Sequence, residues 1–189
     1  MSRSASRASK APASHAPGST IRARRNPLAR LEDRVEGVSD PVALAGEVLR
    51  VAGFALDEPP NVLAVASALG VEVRQQALGS LGASSVLRGD TTFIVIEETL
   101  STLEKRAAIA EGLAVLVRLL AGHEPAALEP VANAALTLAV ADELLAPSAA
   151  VRAATNGAGD LGGAKTLATA FAVTKITWSR RLAAVRGAA

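Results

Sequence analysis

Cysteine and tyrosine are absent from all 189 residues, and histidine occurs only twice, at His15 and His123. A chain without thiols forms no disulfide, offers no thiolate nucleophile and builds no cysteine-ligated zinc site, which fits a reducing, cytoplasmic setting. Its two histidines lie too far apart to form the i, i+4 pair with which an HExxH helix grips zinc. Aromatic residues are scarce as well, three Phe and Trp178, although half the residues are apolar. The core must therefore be built from Ala, Leu and Val at close contacts, which favours helices. Long apolar runs are also missing. Glu111 and Arg118 interrupt 109–120, and 131–141 is about half the ~20 residues that a membrane span needs. No apolar stretch of the secretory kind precedes Ile21, so no membrane partner is expected.

Charge is present but unevenly placed. Residues 1–30 hold Arg3, Arg7, Lys10, Arg22, Arg24, Arg25 and Arg30 and no acid, so a formal +2 for the chain less +7 leaves −5 on the remainder. Residues 1–38, rich in Ser, Ala, Arg and Pro, lack the apolar pattern needed to offset the entropy of ordering and read as a disordered basic tail. Such a tail attracts nucleic acid by counterion release, with Arg22, Arg24 and Arg25 as candidate contacts. Residues 39–187 are long enough for one compact domain with a sizeable core.

Asp40-Pro41 opens a helix that ends near Gly53, and Asn61–Leu69 is a second helix closed by Gly70. The period then changes. Val71–Arg74, Ser84–Leu87 and Thr91–Ile96 read as three strands, joined by turns at 79–82 and Gly89-Asp90, and an antiparallel sheet is expected. Leu103–Leu120 carries Ile109, Leu113, Leu116 and Leu120 on one stripe and covers the sheet. Helices follow near 127–145, 148–155, 163–171 and 175–185, with Thr174 as N-cap of the last. The fold class is α+β, a small three-stranded antiparallel sheet on a mainly helical body.

Within Leu100–Leu120, the arginine Arg106 followed by Ile109, Ala110, Leu113 and Ala114 resembles the framework of the ImmA/IrrE metallopeptidase family. That family has an arginine, hydrophobic and small residues, and then Ala-His-Glu-hydrophobic-Gly-His-Leu. Pro60–Val73 is similar to its opening helix and first strand, Gly89–Ile96 to its glycine turn and third strand, and Ala141-Asp-Glu-Leu-Leu-Ala-Pro147 to its hydrophobic-Ala-x-x-Leu-Leu-Met-Pro segment. The resemblance implies a zincin-like domain and, in active members, a zinc-dependent endopeptidase acting on helix-turn-helix repressors in stress responses. Aligned on that framework, the two zinc histidines fall at Glu111 and Val115, the catalytic glutamate at Gly112 and the third ligand at Ala135. Shifting by one residue makes Glu111 the glutamate but leaves Ala110 and Ala114 for the histidines. The zinc cofactor expected of the family thus lacks its ligands, and the reading is a catalytically inactive member that engages a helix-turn-helix regulator.

Two other readings compete. Glu111, His123, Glu124, Asp142 and Glu143 could rebuild a carboxylate-rich metal site for an endopeptidase. Leu167–Leu182 resembles the family's Leu-Ala-x-x-Phe-x-Val-Ser…Arg-Leu segment and has a helix-turn-helix flavour, with Lys175 and Arg180 as candidate nucleic-acid contacts. The glycines at 157–159 and 162–163 follow no strand and do not suggest a phosphate loop.

Overall fold

The computed structural model describes residues 26–79, 83–88, 91–123, 130–157 and 164–187. Arg22, Arg24, Arg25, Glu124 and the turns at 80–82 and 89–90 lie outside them. The elements run α1 (Pro27–Val35), α2 (Pro41–Ala52), α3 (Val62–Ala68), β1 (Val71–Gln76), β2 (Ala83–Arg88), β3 (Thr91–Glu97), α4 (Thr102–Leu120), α5 (Pro130–Leu145), α6 (Ser148–Gly157), α7 (Ala164–Ala170) and α8 (Lys175–Gly187).

Local chemistry sets most of these boundaries. Asp40 caps α2 by accepting from Ala43 N at 2.7 Å, and Gly53 ends the helix at φ +82°, a left-handed turn that costs glycine nothing. Asn61 caps α3 in the same way. Ser101 and Glu104 form a reciprocal capping box at the start of α4. Thr174 caps α8 through Thr177 N at 3.1 Å.

Two expectations are corrected. The tail does not extend to residue 38, because Asn26 and Pro27 start α1, whose Leu31 and Val35 are fully buried against α2 and α4. Charges on every other face of this short helix hide its narrow i, i+4 apolar stripe. The sheet is mixed rather than antiparallel. Its order is β1-β3-β2, with β2 antiparallel to β3 and β1 parallel to it, Val71 opposite Thr92 and Ala83 opposite Ile96. Alternation identifies strands but not their direction. The reason for the order is burial: β3 carries Ile94, Val95 and Ile96, all buried, so it takes the centre and β1 flanks it on the side that β2 leaves open. Among the described residues no single helix is long and apolar enough to cross a membrane.

α4 lies across the sheet and packs on α3, α5 and α1. It comes close to β3 at Gly112, where an added Cβ would stand 2.7 Å from Ile94 Cγ2 and 3.0 Å from its Cδ1. Ile94 is fully buried in the central strand and has nowhere to retreat. Gly112→Ala is therefore expected to lose about 1–3 kcal/mol by overpacking, outweighing the ~1 kcal/mol that alanine gains in helix propensity. Urea unfolding of Gly112→Ala, Ile94→Ala and the double variant checks this, since Ile94→Ala should recover part of the loss.

Candidate functional site

One helical turn advances about 100° per residue, so Glu111 and Val115 stand one above the other on α4. Both are exposed, as is Ala135 on α5. Ala110 and Ala114, the histidine positions of the shifted register, are fully buried. The framework register therefore puts the family's metal-binding positions on an open face, and the shifted one puts them inside the core. Zinc needs N, O or S donors. Glu111 offers a carboxylate, Val115 and Ala135 offer none, and position 112 has no room for a side chain. These residues do not fit the ion.

Asp142 and Arg180 adjoin Glu111. The Arg180 guanidinium forks onto Asp142, Nε to Oδ2 at 2.6 Å and Nη2 to Oδ1 at 2.8 Å. Partial loss of hydration raises the pKa of Glu111 above its ordinary value, the charge of Asp142 raises it further, and Arg180 opposes both. The result is a small acidic cluster neutralised at one corner. Arg180, expected to be a nucleic-acid contact, is occupied by this pair. Lys175, at the start of α8, is exposed.

One residue along each helix the same pairing is repeated inside the protein. Arg181 and Glu143, both with 6% of their side chains exposed, form a buried ion pair. Glu143 also accepts from Ser148 N at 2.6 Å and Ser148 Oγ at 2.9 Å, while Arg181 Nε donates to Ala146 O at 2.8 Å. Three of the five donors considered for a rebuilt metal site are thus spent elsewhere: Asp142 on Arg180, Glu143 on Arg181, and His123, whose Nε2 donates to Val38 O at 2.7 Å. Among the described residues no three His, Asp or Glu side chains gather around one point. The Arg181 pairing was missed in the sequence, although a signal exists. Asp142 and Glu143 are the only charges in α5, and two acids in an otherwise apolar helix call for partners.

On the opposite side of α4, about 140–160° round from Glu111, Arg106 and Ile109 face a cavity of about 610 Å³. Its walls come from the start of α3, strands β1 and β3, the first half of α4 and the corner between α7 and α8. That corner is a Schellman turn, Val173 N to Ala168 O and Ala172 N to Thr169 O, with Ala172 at φ +50° where glycine is usual. Arg106 Nη2 reaches Leu145 O at 3.3 Å, but among the described residues its buried Nε has no hydrogen-bond partner.

A carboxyl with a raised folded-state pKa stabilises the fold only while protonated. Its contribution is full below the ordinary value of 4.5 and is lost as pH rises through the raised one. Glu111→Gln should therefore be more stable than the wild type at neutral pH, with the difference vanishing at acid pH, as urea unfolding at both pH values can establish. Asp142→Asn should lower the Glu111 titration midpoint followed by carboxyl NMR; an unchanged midpoint would remove the coupling. The chain matches no protein-family model and no curated protein.

Proposed function

We propose that this chain is a non-catalytic ImmA/IrrE-like protein that binds a helix-turn-helix transcriptional regulator without cutting it. The observation that carries the reading is the state of α4. Framework positions Ile109, Ala110, Leu113 and Ala114 are buried, whereas the metal-binding positions hold Glu111 and Val115 on an open face. Gly112 is wedged against Ile94 where the catalytic glutamate would stand. Exposed positions of this kind, the apolar Val115, the methyl-bearing Ala135 and the Glu111 carboxylate, suit contact with a protein surface rather than hydrolysis. The competing DNA reading through α8 is disfavoured because Arg180 would have to abandon Asp142.

The test is elemental analysis of the full chain, grown with added zinc and purified without chelator, beside the Glu111→Ala variant. Far less than one equivalent of metal in both is the expected result. Stoichiometric zinc that disappears in Glu111→Ala, together with zinc-dependent cleavage of a helix-turn-helix repressor, would overturn the proposal.

A further inference from the structure

We propose that the cavity on the Arg106 side of α4 binds a small amphipathic acid, an apolar chain or ring bearing one carboxylate that sits on the Arg106 guanidinium. The site lies across α4 from Glu111 and Val115, so the inference stands apart from the family reading.

Four observations converge on it. The volume of about 610 Å³ falls within the range of small-molecule pockets. Most of the wall is apolar, with Val62, Ile96, Ile109 and Phe171 buried and Leu63 and Leu103 on its exposed side. Those two leucines are 52% and 42% exposed, a solvent contact that a bound apolar body would relieve. Among the lining residues Lys105 and Arg106 are cationic and none is acidic, so the cavity favours an anion over a cation or a neutral head group.

The fourth observation is the state of the polar groups. Asn61 spends its side-chain oxygen capping α3, and Lys105 Nζ donates to Gln75 Oε1 at 2.7 Å. Arg106 differs. Among the described residues its one hydrogen bond, to Leu145 O, is long at 3.3 Å, its buried Nε has no partner, and no carboxylate lies within ion-pair distance. Loss of water lowers its pKa, as expected for a cation that burial has left uncompensated. A ligand carboxylate would supply that compensation, since the planar guanidinium matches a carboxylate in geometry and in charge.

Isothermal titration calorimetry of the full chain with decanoate, decanol and decyltrimethylammonium, each kept below its micelle concentration, tests the proposal. Decanoate should bind saturably at one site, decanol at least tenfold more weakly, and the ammonium not measurably. Arg106→Gln should bring decanoate down to the affinity of decanol. Leu103→Trp, which adds bulk on the exposed side and leaves the Arg106 bond to Leu145 in place, should weaken decanoate tenfold or more. If Arg106→Gln fails to fold, the wild-type preference for decanoate over decanol and the Leu103→Trp result still decide. Equal affinity for decanoate and decanol, no saturable decanoate binding, or decanoate binding unaffected by Leu103→Trp would each overturn the proposal.

Discussion

The buried ion pair between Arg181 and Glu143 is the interaction on which the arrangement of the helical half depends. Removing two charges from water is costly, and only complete satisfaction of both groups offsets it. That condition is met at one point in space. Glu143 takes Arg181 together with the backbone and hydroxyl of Ser148, the first residue of α6, and Arg181 also takes Ala146 O. Pro147 separates α5 from α6, so the last carbonyls of α5 lack helical partners. Arg106 from α4 donates to Leu145 O, the last of them, and Arg181 from α8 to Ala146 O just beyond the helix. Four helices are thereby fixed at a single corner, and Trp178, fully buried and 5.0 Å from the Phe171 ring, closes the space beside it.

This corner also fixes the two faces of α4. With α5 and α8 held, Asp142 and Arg180 are brought beside Glu111 on one side, and Arg106 is drawn toward Leu145 on the other. Of the two arginines that donate to the backbone carbonyls at the C-terminal end of α5, Arg181 has a carboxylate partner and Arg106 has none among the described residues. Two similar side chains thus serve the same helix end in different electrostatic states, and only the second leaves an unmet demand beside a cavity.

Much of the fold was legible where the chain signals its own local structure. Asp40-Pro41, Asn61, Gly53 and Gly70 marked helix ends by capping chemistry, and Thr174 marked the start of α8. Alternation at Val71–Arg74 and the turn signals at 79–82 and Gly89-Asp90 marked all three strands. What the sequence did not carry was pairing direction, since period 2 is the same for either sense, nor α1, whose stripe is three residues wide amid four charges. For the site, the buried positions of α4 were legible because packing restricts them to Ile, Leu and Ala. Glu111, Val115 and Ala135 lie on surface that packing does not constrain, so different residues there cost the fold little. Gly112 is the exception, a position that the sequence offered as a degenerate catalytic residue and that the helix–strand approach explains by itself. The roles of Arg106, Arg180 and Arg181 depend on contacts more than thirty residues away, which no local pattern encodes.

The most direct test of this account is a double-mutant cycle at the corner, with Glu143→Leu, Arg181→Met and the double variant compared by urea unfolding. Each single change strands a buried charge and should cost about 3–5 kcal/mol, while the double change should cost much less than the sum of the two. Single variants that lose less than about 1 kcal/mol, or losses that simply add, would contradict the claim that this pair holds the helical half together.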